Sequence, residues 1–216
     1  MHKLQRTNAP KCLAKYKHGR DFWSDTSPSP AERSEIWDKL HFMQKCRCAY
    51  CECDLNSDND RHIEHFRQRA PHLYPQGTFE WTNLFGSCGK KNSCGSHKDR
   101  SGPYNQADLI KPDVDDPELF FQFHTDGKIS IRSELNRNDH NRANETLRIF
   151  NLDPPNGSLR WMRHSAAIGY LQTAEAIVLL ADGDKSLIEN LLLEEICKTS
   201  HLPFATAIKN TLQLSL

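Results

Sequence analysis

Six of the eight cysteines, at 46, 48, 51, 53, 88 and 94, fall within one 49-residue stretch. Cys48-Ala-Tyr-Cys51 is a CxxC knuckle, and two thiolates at that spacing can grip one tetrahedral metal from a tight turn. Cys88 and Cys94 lie some forty residues on and can close a four-thiolate site. Thiolate ligands select zinc over magnesium. Two other readings remain open: a redox pair at Cys48/Cys51, or small buried apolar residues. Between the cysteine pairs lies His62-Ile63-Glu64-His65-Phe66, followed by Asn83 in WTNL and His97 in CGSHKD. On a strand, residues 62 and 64 face one way and 65 the other. At a strand end that rule loosens, and an adjacent carboxylate and imidazole can then address one reacting phosphate.

These residues need elements to carry them. Pro30 opens a predicted helix over 31–45, with Ile36, Trp37, Leu40 and Met43 at helical spacing. The turn-rich DLNSDND (54–60) follows the cysteines. RHIEHF (61–66) alternates like a short strand, 67–80 reads as loop, and WTNLFGS (81–87) is short and apolar. Beyond residue 108, LFFQFH and KISIR flank Asp126-Gly127 and predict a β-hairpin. Helices are predicted over 138–150, 158–181, 185–198 and 203–214. The second of these places Met162, Ala166, Tyr170, Thr173, Ile177 and Leu180 on one face. The expected fold class is α+β in three segments: a basic arm and helix (1–45), a cysteine-rich core (46–110), and a hairpin plus mainly helical region (111–216).

The 216 residues carry 28 basic and 28 acidic side chains, and only 37% of them are hydrophobic. That fraction is below the usual ~45–50%, which suits a fold held partly by metal. No apolar run approaches the ~20 residues of a membrane helix. The polar start MHKLQR predicts no secretory leader, a cytoplasmic location and reduced cysteines. The neutral total is a cancellation. Residues 1–20 hold six Lys/Arg and no acid, and Arg61, Arg67, Arg69, Lys90, Lys91, Lys98 and Arg100 flank the proposed centre, whereas 108–153 leans acidic. Such a basic face fits phosphate contact, with Lys98 and Arg100 favoured because they neighbour His97. Trp81 and Phe85 could stack on bases but read more simply as core. His124, His140, His164 and His201 are taken as structural.

The order CAYCE…HIEHF…WTNLFGSC…CGSHKD resembles the HNH endonuclease family, whose fold is the ββα-metal finger. HIEHF, FEWTNL, DGKI and RANETLRIFNL with a helical C-terminus look like the PtuB-type HNH nucleases of Septu and retron-linked anti-phage systems. The resemblance implies a nuclease that hydrolyses phosphodiesters, with DNA the default substrate and RNA the other. It implies His65 as general base, Glu64 and His97 as ligands of catalytic Mg²⁺ or Mn²⁺, and Asn83 as a loop or His65 support. Cys48, Cys51, Cys88 and Cys94 would hold structural Zn²⁺, and Arg67, Arg69, Lys98 and Arg100 would contact nucleic acid. It further implies a PtuA-type ATPase partner and, in the retron-linked case, a reverse transcriptase with its DNA–RNA product. The chain departs from the pattern at Gln68, where the family often has proline. It departs again in the five residues between Cys88 and Cys94, which leaves Cys46 and Cys53 as stand-in ligands. A non-catalytic zinc module for nucleic acid or protein is the competing reading.

Overall fold

A computed structural model describes residues 1–56, 61–155 and 157–215. The 57–60 part of the predicted turn lies outside the described residues. The fold is α+β, with 48% helix and two small antiparallel sheets. No helix among the described residues is long and apolar enough to cross a membrane.

Helix α1 spans Pro30–Gln44. Ser29 caps it in a reciprocal capping box with Glu32, which satisfies two N–H groups that an uncapped helix start would leave open. Ile36, Leu40 and Met43 are buried on one face, as their spacing predicts. The last helical residue, Gln44, is also buried. Its Nε2 donates to the carbonyls of Arg47 (2.6 Å) and Gly86 (2.9 Å), and its Oε1 accepts from Gly86 N (2.7 Å). One side chain thus ties α1 to the strand that ends in Cys88.

Strands β1 (Arg61–His65) and β2 (Leu84–Cys88) pair antiparallel, with Arg61 opposite Cys88 and His65 opposite Leu84. Helix α2 (Cys94–Lys98) follows directly and packs on β2, so the chain runs β–β–α through the cysteine-rich region. The predicted hairpin forms as β3 (Phe121–Phe123) and β4 (Ile129–Ile131). Gly127 turns it at φ +81°, and a Cβ there would lie 1.9 Å from the Arg160 carbonyl oxygen. Buried Arg163 clamps that turn to the helices, donating from Nε to Gly127 O (2.7 Å) and from Nη1 to Leu152 O (2.8 Å).

The remaining helices are α3 (Arg137–Phe150), α4 (Ser158–Leu180), α5 (Lys185–Thr199) and α6 (Ala205–Leu212). The buried seam of α4 is Leu159, Arg163, Ala167 and Ala174, one position over from the expected face. Small alanines let α6 approach closely, so Met162, Ala166, Tyr170 and Ile177 flank the seam half-buried, while Leu180 is 75% exposed.

Residues 1–20 do not form a free basic arm. Leu4 and Leu13 are buried in the main core, and Leu4 N donates to Pro112 O (2.8 Å). Arg6 pairs with Asp113 at 2.8 Å and stacks over Phe85 at 4.3 Å. Of the six cations of this segment only Arg6 is drawn into the fold; Lys3, Lys11, Lys15, Lys17 and Arg20 stay exposed. The main apolar cluster runs from Leu4 through Phe85 to Phe150 and Ala207, across both sequence boundaries at 45/46 and 110/111. Trp81 and Phe85 are buried in it, as core residues.

Candidate functional site

Two features adjoin the β1–β2 ribbon: a thiol cluster that takes in Cys88 at the end of β2, and an open cleft along β1. Cys48 and Cys51 sit in a turn closed by Cys48 N donating to Cys53 O (2.8 Å) and Glu52 N to Cys48 O (3.0 Å), with Glu52 in the left-handed region at φ 65°. Cys88 ends β2 and Cys94 begins α2. The five intervening residues turn the chain back, so the wide spacing of the second pair costs the cluster nothing. Cys48, Cys51, Cys88 and Cys94 are all buried, and their Sγ atoms lie within 4.8 Å of one another. Cys51 Sγ and Cys88 Sγ are 3.8 Å apart, the edge length of a tetrahedron with metal–sulfur bonds of about 2.3 Å. Cys88 N donates to Cys48 Sγ at 3.4 Å, which favours a thiolate there. Burial would push the Cys48 thiol up, but the surrounding Cys51, Cys53, Cys88 and Cys94 thiols outweigh it and hold Cys48 well below the usual value. Four buried sulfurs at this spacing could hold a metal such as zinc.

The stand-in ligands are not needed. Cys46 is half-exposed, and Cys53 is buried beside the cluster but outside the group of four. All eight cysteines are free thiols, so no disulfide competes for the site.

The cleft has a volume of about 580 Å³ and is walled by β1, by the loop after it and by the end of α2. Glu64 and His65 both reach it. Glu64 is 3% exposed and His65 8%. Helix α2 meets the Glu64 carboxylate at Gly95, where a Cβ would stand 2.3 Å from Oε2, so only glycine allows the approach. His62 Nε2 lies 3.1 Å from Glu64 Oε2, the same-face neighbour that strand alternation predicts. Burial lowers the His62 pKa, but the Glu64 carboxylate outweighs it, and the net shift is upward.

His65 Nε2 is 2.9 Å from Thr78 O. A carbonyl only accepts, so Nε2 carries the hydrogen and Nδ1 keeps the basic lone pair. Burial drives the His65 pKa down to about 4, against the Thr78 carbonyl and Glu64, and the ring is neutral at pH 7. The Trp23 ring stands edge-on to it at 4.8 Å. Asn83 supports the arrangement. Its Oδ1 accepts from Arg67 N (2.7 Å), and its Nδ2 donates to Arg67 O and Gly77 O (3.0 Å each). The loop that presents the Thr78 carbonyl is thereby pinned at both ends.

Two sequence expectations fail here. Lys98 is not a nucleic-acid contact: it is fully buried, with Nζ 2.6 Å from Glu64 Oε1, 2.8 Å from Asp99 Oδ1 and 2.9 Å from His65 O. Burial lowers its pKa, but Glu64, Tyr104 and Asp99 outweigh that and raise it. Although close, Lys98 Nζ is poorly aligned on Glu64 Oε1, which has no hydrogen-bond donor among the described residues. Nor is His97 brought to Glu64 in the cleft. Its Nδ1 is 2.9 Å from Ile149 O and from Ser101 Oγ, which turns the ring toward α3. The short α2 puts 97 and 98 on different faces, and Lys98 takes the inward one.

Of the expected nucleic-acid contacts, Arg69 lines the cleft, while Arg67 and Arg100 are exposed and are not part of its lining. Arg67 lies over the Tyr74 ring at 4.8 Å and Arg100 Nε donates to Ser96 O. Sequence reasoning missed His72, Asp99 and Trp23 as cleft residues. They come from three separate segments, and only the fold brings them together. Compared with known proteins, the chain matches no family model and no curated protein.

Proposed function

We propose that this protein is an HNH-type endonuclease that hydrolyses phosphodiester bonds of nucleic acid, with DNA the favoured substrate. The observation that carries the reading is the pairing of Glu64 and His65 in one cleft, on a β–β–α run whose turns are gathered by four cysteines. His65 would take the proton of the attacking water at Nδ1, since Thr78 holds the opposite nitrogen as N–H. A buried, neutral imidazole is in the right state for that at pH 7, and general-base help is typically worth ~10²–10⁴-fold.

The donor set also fits a divalent ion such as Mg²⁺ or Mn²⁺. Glu64 Oε1 is a buried oxygen without an aligned donor, and His62 stands beside Oε2. Glu64 and His62 would hold the ion, and Lys98 would turn to Asp99 on its other side. When bound, such an ion stabilises the charge that builds on the phosphate oxygens. Arg69 at the rim would hold a neighbouring phosphate. The four-cysteine cage would hold zinc and fix the ribbon. The exposed Trp161, Leu179, Leu180 and Leu193 of α4 and α5 support a docking face for an ATPase partner, in keeping with an anti-phage effector of the PtuB type.

A second reading rests on Lys98. An ammonium already seated on Glu64 suits a non-catalytic zinc module in which that pair is structural. One experiment separates the two. Purified protein, with its neighbouring gene product, is offered DNA and RNA with and without Mg²⁺. Cleavage that needs the metal and vanishes in His65→Ala supports the nuclease. Binding without cleavage, unchanged in His65→Ala, supports the module.

A further inference from the structure

A second cavity, of about 250 Å³, shares no lining residue with the cleft. It lies between the N-terminal segment, the end of α1 and the α5–α6 corner. Lys3, Lys45, Arg47 and Lys209 line it with a single carboxylate, Glu118. Glu118 is bound to Lys209 at 2.7 Å, which leaves a wall with three cations in excess. An excess like this in one concavity is a strong field of one sign.

The cations are held but not exhausted. Lys3 Nζ donates to Val114 O (2.6 Å), and Lys45 Nζ makes long contacts with Ser200 O and Oγ (3.4 and 3.3 Å). Each ammonium has three hydrogens, so donors remain. Arg47 is 2% exposed; it donates from Nη1 to Leu202 O (2.9 Å) and from Nη2 to His2 Nε2 (3.1 Å). His2 therefore carries its hydrogen on Nδ1. Both His2 Nδ1 and Arg47 Nε are buried and lack a hydrogen-bond partner among the described residues. Two orphaned N–H donors on adjacent lining residues are costly unless something accepts from them.

The nearest buried carboxylate does not serve. Glu52 Oε1 is 3.8 Å from His2 Nδ1 and Oε2 is 3.8 Å from Arg47 Nη1. Its Oε1 is paired with the Met1 ammonium (2.6 Å) and accepts from Thr206 Oγ1 (2.6 Å), and its Oε2 accepts from Thr206 N (3.0 Å). Helix α6 starts at this wall with Ala205, and its N-terminal end adds partial positive charge.

We propose that this cavity is an anion site for a terminal phosphate group, carried by a mononucleotide or by the phosphorylated end of a nucleic-acid strand. Lys3 and Lys45 supply point charges and Arg47 a fixed N–H, the usual partners of a phosphate. The volume is below the ~300–1,000 Å³ of sites that enclose a whole drug-sized ligand. It suits a head group with the remainder in solvent. The site stands independently of the nuclease reading.

The test is calorimetric titration of the full chain with inorganic phosphate, 5′-AMP and a short oligonucleotide with or without a 5′-phosphate, all at one ionic strength. Saturable phosphate binding is expected, weakened about tenfold or more by Lys3→Gln/Lys45→Gln. Tighter binding of AMP than of phosphate assigns the mononucleotide. A preference for the phosphorylated strand over its hydroxyl counterpart assigns the strand end. Amide shifts of Ala205 and Thr206 on adding phosphate to the unaltered protein locate the site even if the variant folds poorly. No saturable phosphate binding, binding that survives in a folded double variant, or shifts elsewhere would each overturn the proposal.

Discussion

Lys98 Nζ lies 2.6 Å from Glu64 Oε1, and the two side chains are 0% and 3% exposed. The pair joins the end of α2 to the strand that carries His65, and the Lys98 ammonium also bonds the His65 carbonyl. A buried charge that loses its partner is far more costly than a pair replaced together. Lys98→Met is expected to destabilise the fold by about 3–5 kcal/mol in urea denaturation, and Glu64→Gln/Lys98→Met should recover much of it. Equal losses in the single and double variants would show that the charge pairing is immaterial.

The cysteine cage predicts a metal stoichiometry. About one zinc per chain should co-purify, and Cys48→Ser or Cys94→Ser should lose both the zinc and the cooperative melt. Cys46→Ser should keep both. Elemental analysis beside thermal denaturation makes the comparison, and a well-folded preparation without metal would remove zinc from the account.

The proposed nuclease gives His62, to which the sequence assigned no role, the place expected of His97. His62 touches Glu64, and His97 touches α3. If the cleft holds a divalent ion, His62→Ala should raise the Mg²⁺ concentration needed for half-maximal cleavage, while His97→Ala should act mainly on stability. The opposite pattern would restore His97 as the ligand.

Asn83→Ala removes three hydrogen bonds, and leaves Arg67 N, Arg67 O and Gly77 O to find other partners. A loss of about 1–3 kcal/mol is expected from unsatisfied buried groups. The loop should exchange amide hydrogens faster around 77 and 78, and the His65 ring should lose its fixed tautomer, visible in its imidazole nitrogen shifts.

The half-buried His2 contributes a pH dependence. Its pKa is lowered from 6.5 to about 4, first by burial, with Arg47, the Met1 amine and Lys45 adding to the effect and Glu52 opposing it. The unfolded chain therefore binds the proton more readily. The His2 contribution to stability is full above pH 6.5 and is lost as pH drops from there toward 4. The unfolding free energy of His2→Gln should depend less on pH in that window. An unchanged slope would assign the effect to other groups.

The sequence by itself determined most of the elements and the chemistry-bearing set. Period and caps placed α1, α3, α4, α5 and α6, and Asp126-Gly127 placed the hairpin, because these are local backbone preferences. CxxC with a later cysteine pair marked the cage, since thiols reach one centre from tight turns whatever surrounds them. Glu64, His65 and Asn83 were legible for a similar reason: they sit on or beside the strands of a single ribbon. Tertiary structure alone decided the rest. Burial and the match of an ammonium to a carboxylate turned Lys98 inward, and a carbonyl on α3 drew His97 away. The basic N-terminal segment became part of the core because Leu4, Leu13 and the Arg6–Asp113 pair gain more there than as a solvated tail. Spacing along a chain records which groups are near in sequence. Which face each one shows is chosen by partners dozens of residues away.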